Sequence, residues 1–202
     1  MKKTLLWAGV ILVALFFGLQ TWLYPNGDIS EYVDKVTKEA IAANDVSICE
    51  KLAGELVFNA DPRTPCYAAI AIQRKDLNVC ADFEDLWMCF ADYFAHDPTA
   101  DANLCAAIAE REARDYCYDI QHGHVYDIAL CAYIQKDSEQ TNCYINQMGH
   151  DKNTGICEQY LSGADADRCY VHAALVFRDK VWCEEVQDSS QKQTCQDRQL
   201  PN

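Results

Sequence analysis

The chain begins with an apolar run from Leu5 to Tyr24, preceded by Lys2 and Lys3 and interrupted only by Gln20 and Thr21. As a helix, twenty such residues reach about 30 Å, the thickness of a bilayer core. No Ala-x-Ala-like cleavage site stands between Phe16 and Asp28, and the run holds no cysteine for a lipid anchor. Residues 1–27 are therefore read as an uncleaved signal anchor and break, with a cleaved signal peptide and secretion as the alternative. The lysines predict a cytoplasmic N-terminus, a single pass, and residues 28–202 on the outside. Trp22 and Tyr24 fall where an interfacial aromatic belt belongs, and Pro25-Asn26-Gly27 ends the segment.

Beyond that break the apolar positions repeat. Twelve cysteines stand at 49, 66, 80, 89, 105, 117, 131, 143, 157, 169, 183 and 195. From Cys105 onward their spacing alternates 12 and 14, a period of 26 that marks a stacked repeat. Six units result, each with a first and a second cysteine. Around each first cysteine the pairs Ile48 and Leu52, Val79 and Phe83, Leu104 and Ile108, Leu130 and Ile134, Ile156 and Tyr160, and Trp182 and Val186 lie four apart. That spacing puts them with the cysteine on one face of a short helix. Four residues before each first cysteine stand Asp45, Asp76, Asp101, Asp127, Asn153 and Asp179. They are the expected helix N-caps, because their side-chain oxygen accepts from unpaired amide groups.

A second helix follows polar breakers such as Gly54, Gly163 and Ser189-Ser190, with Asp61-Pro62 as cap and first position in unit one. Its cysteine is followed by Tyr67, Phe90, Tyr118, Tyr144 or Tyr170 in five units of six. Residues 28–44 carry the second-helix pattern without a cysteine and are read as a capping helix, which a repeat array needs at its end.

Twelve cysteines in 202 residues exceed what a cytosolic enzyme carries and point to an oxidising compartment. Two pairings compete. In one, each unit closes on itself: Cys49–Cys66, Cys80–Cys89, Cys105–Cys117, Cys131–Cys143, Cys157–Cys169 and Cys183–Cys195. In the other, each second cysteine joins the next unit, as in Cys66–Cys80. In an antiparallel hairpin the cysteines of one unit sit level, within the ~6 Å Cα reach of a disulfide. The alternative offsets them by ~6 Å of helix rise and strands Cys49 and Cys195. Geometry therefore favours the self-closing scheme. Zinc is the rival use, but its ligands come in pairs two to four residues apart. The shortest step between cysteines here is nine. No Cys-x-x-Cys pair is present for redox catalysis or haem attachment.

The array resembles the tandem α-hairpins of the α-solenoid class. It is most similar to the disulfide-stapled cysteine-repeat ectodomains of some prokaryotic membrane-anchored proteins. The likeness covers nearly all of residues 28–202 and carries no active-site motif. The fold class expected is all-α: a transmembrane helix, then a right-handed-type α-solenoid of six hairpins, each closed by a disulfide.

A formal charge of −14, which becomes −16 once Lys2 and Lys3 are set aside with the anchor, opposes a nucleic-acid partner. His96, His124 and His150 each stand seven residues after a second cysteine. They are weak metal candidates, with Asp97, Asp127 and Asp151 as helpers. The plainer reading is imidazoles at helix C-termini, where the partial negative charge favours them. The tyrosines after the second cysteines are either a binding stripe or packing between units. Catalytic signatures such as Gly-x-Ser-x-Gly and His-Glu-x-x-His are missing. The expectation is a non-enzymatic, membrane-anchored extracytoplasmic scaffold that binds a protein, peptide or surface polymer and needs no cofactor. A structural spacer is the alternative, and a metal-binding or enzymatic ectodomain a more distant one.

Overall fold

The computed structural model describes residues 29–54, 61–98 and 100–198. These form two compact units that divide between Arg74 and Lys75.

The first unit contains α1 (Ile29–Ala43), a 3-10 turn (Val46–Leu52) and α2 (Arg63–Arg74). α1 buries Val36 and Ala40 and packs on both other elements. Asp61 accepts from the Arg63 amide at 2.9 Å, which starts α2. Arg63 also pairs with Asp61 and Glu50, tying the two arms of the hairpin together.

The second unit holds α3 (Asn78–Ala81), α4 (Leu86–His96), α5 (Asn103–Ala106), α6 (Arg111–Val125), a 3-10 turn (Ile128–Tyr133), α7 (Asp137–Asp151), α8 (Gly155–Tyr160), α9 (Gly163–Phe177), a 3-10 turn (Lys180–Glu185) and α10 (Ser189–Asp197). Its long helices are neighbours in chain order: α4 with α6, α6 with α7, α7 with α9, and α9 with α10. The first arms of the last three hairpins pack against the long helix before them, as Ile128–Tyr133 does on α6 and Lys180–Glu185 on α9. The core follows the repeat: Leu52, Phe83, Ile108, Ile134 and Val186, each three residues after a first cysteine, are buried. Tyr160 at the same position is exposed and stacks on Tyr144, with ring centroids 4.7 Å apart.

The architecture of a transmembrane helix leading into a right-handed solenoid does not stand. No helix among the described residues is long and apolar enough to cross a membrane. Helices such as α6 and α9 have 15 residues. That is about 22 Å at 1.5 Å per residue, short of a core of about 30 Å. They are also amphipathic, each burying one face. The run at 5–24 and the break at 25–27, read as anchor, lie outside the described residues. What stands is an all-α chain of repeated helices with six disulfides and no strand among the described residues.

The first arms are also shorter than the helices expected from the sequence. They are 3-10 turns or brief α-helices of four to six residues. Segments of this length do not hold a helix alone. Each begins at an Asp or Asn whose carboxylate or amide oxygen accepts from the amide two residues on. Asp45 caps Ser47 at 2.9 Å, Asp76 caps Asn78 at 3.0 Å, and Asp101 caps Asn103 at 2.9 Å. Asp127, Asn153 and Asp179 do the same for Ala129, Gly155 and Val181 at 3.0 to 3.1 Å. Immediately before five of these six stand Asn44, Lys75, Tyr126, Lys152 and Arg178, all left-handed with φ of 49° to 55°. A left-handed residue ends the preceding long helix and satisfies its last carbonyls.

Candidate functional site

The six disulfides join the two cysteines of each unit, with Cα–Cα distances of 5.5 to 5.8 Å. All twelve cysteines are bonded and buried, so none is a nucleophile or an open metal ligand.

The three histidines of the seven-residue register are not gathered into one site. His96 closes α4, and its Nδ1 lies 2.9 Å from the Asp92 carbonyl. His124 sits near Phe94, with ring centroids 6.3 Å apart. His150 stacks on Tyr126 at 3.7 Å, and its Nδ1 is 2.9 Å from an Asp151 carboxylate oxygen. Among the described residues, the one cluster with metal-ligand spacing is His122 with Cys131 and Cys143, their ligand atoms within 4.8 Å. Both sulfurs are bonded to each other, so the cluster offers an ion only the imidazole. His122 is itself engaged, with Nε2 at 2.7 Å from Gln147 Oε1. Because the Gln147 amide nitrogen donates to Asp151 at 2.7 Å, its oxygen faces the ring and His122 Nε2 carries the hydrogen.

The tyrosines that follow second cysteines divide into two kinds. Tyr67 donates to Glu50 at 2.6 Å and Tyr170 to Glu158 at 2.9 Å, each within its own hairpin. Burial and the adjoining carboxylate push the Tyr67 hydroxyl up to about 12, and Tyr170 rises for the same reasons. The same bond holds Glu50 below the usual carboxylate range. Tyr118 and Tyr144 instead stack on Tyr133 and Tyr160 of the next hairpin. Tyr118, Tyr144 and Tyr170 are buried, so these positions serve as packing rather than an exposed stripe.

A groove of about 590 Å³ runs across the outer face of α6, α7, α9 and α10. Its apolar floor is the buried Ile145 and half-buried Val171, with the exposed Leu175 beside them. Its cations are Arg168 and Arg198, and its one carboxylate is Asp119. Asn142, Asn146, Gln191 and His172 complete the lining. Most of these occupy equivalent places in successive units. Asn142 and Arg168 stand one residue before a second cysteine, Asp119, Ile145 and Val171 two after, and Asn146, His172 and Arg198 three after. Offsets of three and four fall on one helix face, so the groove is a column of that face read across the hairpins.

Arg168 donates to Asn142 Oδ1 at 2.8 Å across the floor and lies 3.5 Å from Asp165. The side chains of Asn146, His172, Gln191 and Arg198 make no hydrogen bond or ion pair among the described residues. Burial raises the Asp119 carboxyl above its ordinary value, opposed by nearby His122. Burial likewise lowers the His172 imidazole, favouring its neutral form. The groove thus presents unengaged donors and acceptors beside an apolar floor, the composition of a binding surface. A smaller cleft of about 210 Å³ contains Asp115, Lys136 and Glu139, whose polar groups are already paired with one another or with backbone.

Two further acids, outside the groove lining, join neighbouring hairpins. Asp115 on α6 accepts from the amides of Gln135 and Lys136 at 3.1 and 3.0 Å, just before α7 begins. Asp167 on α9 accepts from Gln187 and Asp188 at 2.8 and 2.9 Å, just before α10. Both acids are buried and stand two residues before a second cysteine. Their alignment in the 26-residue register was the available signal. Compared with family models, curated proteins and solved structures, the chain matches none of them.

Proposed function

We propose that the chain is an extracytoplasmic helical-repeat scaffold that binds a protein partner through the groove over α6, α7, α9 and α10. The observation that carries this reading is the row of Asn146, His172, Gln191 and Arg198, whose side chains no other described residue engages, beside an apolar floor. A helix face destined only for water has no need of a concave polar lining with a floor of Ile145 and Val171 and Leu175 beside them. Six disulfides and no free thiol support an oxidising compartment. No catalytic role is assigned to any residue, since the cysteines are bonded and the register histidines are dispersed.

A spacer without a specific ligand is the second reading, favoured by the net charge of −14 and by the polar α10 at the C-terminal side. Site-specific photo-crosslinking in cells separates the two. A crosslinker placed at Asn146 should give a discrete adduct, while one at Ala132, exposed on a first arm and outside the groove, should not. No adduct from either position, or the same pattern from both, would favour the spacer.

A further inference from the structure

The groove differs in charge from the chain that carries it. The whole sequence has 31 acidic against 17 basic side chains, yet the lining holds two arginines against one aspartate. That aspartate is the one whose burial already disfavours its charge. An anionic ligand is therefore repelled over most of the surface and attracted here, which is how like charge elsewhere contributes specificity.

The kind of anion follows from the remaining groups. A guanidinium presents a planar fork of donors that matches a carboxylate. Arg168 engages Asn142 with one nitrogen and lies 3.5 Å from the exposed Asp165 carboxylate with another, while Arg198 engages no described residue and is the freer of the two. Asn146 and Gln191 carry side-chain amides, which offer a donor and an acceptor together and so complement a peptide group. The floor of Ile145 and Val171, with Leu175 beside it, accepts aliphatic side chains or the methylene stems of glutamate. The lining contains no Trp, Tyr or Phe on which a sugar ring would stack. We infer that the ligand of this groove is an acidic peptide segment, with its carboxylates on Arg168 and Arg198 and its backbone on the amides of Asn146 and Gln191. This inference rests on the groove being the binding surface.

The test uses the full-length oxidised protein and a fluorescein-labelled oligo-glutamate peptide, read by fluorescence anisotropy. Binding is expected, with weakening at high salt because the contacts lie at the surface. Arg198→Glu should weaken binding by about tenfold, as should Arg168→Glu. Arg178→Glu, a charge reversal at the end of α9 outside the lining, should change it by less than about twofold. Since Arg168 holds Asn142, the Arg198 variant decides if Arg168→Glu disturbs folding. An equally long oligo-glutamine peptide and a polyuronate should both bind weakly or not at all. The inference is overturned if oligo-glutamate does not bind or binds Arg198→Glu undiminished, or if the glutamine peptide or polyuronate binds as well. A discrete adduct from Asn146 together with failure of the glutamate peptide would leave the groove as a partner site and remove only its acidic specificity.

Discussion

Asp115 and Asp167 take the place that Thr64 and Thr141 occupy in the first and fourth hairpins. Each carboxylate receives two backbone amides of the following hairpin, so it acts as a latch between neighbours. A charge-assisted bond of this sort contributes about 1.5–3 kcal/mol. Asp115→Ala is expected to destabilise the chain by an amount in that range and to speed hydrogen exchange at the Gln135 and Lys136 amides. Unchanged exchange at those two amides would refute the latch. The sequence made the six capping residues legible, because Asp or Asn recurs at one offset and capping is local. The latch was harder to read: its acid holds a repeated place, but one it shares with Thr64 and Thr141, and its partners are amides twenty residues away. Asp119 gives a second test at this scale. Its folded carboxyl holds its proton more tightly than the unfolded one, so it lowers stability as pH rises from the ordinary carboxylate value through the folded one. Above that interval the loss stays constant. Asp119→Asn removes the effect, so the variant's thermal midpoint relative to the parent should be higher at about pH 7 than at about pH 3. A difference that does not vary with pH would contradict the assignment.

The hairpin is the element that the repeat builds, and its two arms are unequal. The long arm is an amphipathic α-helix of nine to 15 residues, with a left-handed end in four of the six hairpins and another at the end of α1. The short arm is one or two turns that bury a cysteine and, in every unit but that of Tyr160, the apolar residue three positions on. The apolar spacing of four pointed to a helix there, and a single 3-10 or α turn satisfies the same spacing without extending further. That is why the pattern located the arm but overstated its length. An arm so short depends on its staple. Closing a loop of 9 to 17 residues contributes about 3 kcal/mol by the chain-entropy argument. Replacing Cys131 and Cys143 together with alanine is expected to lower the urea-unfolding free energy by about that amount. The groove is also an element-scale feature. Its column was present in the register as Asn142 and Arg168 or Asn146, His172 and Arg198, but these residues share polarity rather than identity. Periodicity in one property therefore hid the equivalence that the helices make visible.

At the scale of the whole molecule, cysteine supplies the frame and charge supplies the contrast. The twelve cysteines divide the chain into six hairpins, and the acidic excess of the sequence contrasts with a groove lined by two arginines and one aspartate. The membrane-spanning helix expected at the start is not part of the described fold, where no helix has the length and hydropathy to cross a bilayer. The division between Arg74 and Lys75 was not marked by any change in the repeat, since the left-handed Lys75 and the cap Asp76 match their counterparts in other units. Each hairpin is closed within itself, which holds its short arm level with its long one. Peptide mapping of the oxidised protein without reduction tests this most directly. It should recover Cys49–Cys66, Cys80–Cys89, Cys105–Cys117, Cys131–Cys143, Cys157–Cys169 and Cys183–Cys195 with no free thiol. A peptide joining Cys66 to Cys80, or any other bond between hairpins, would contradict it.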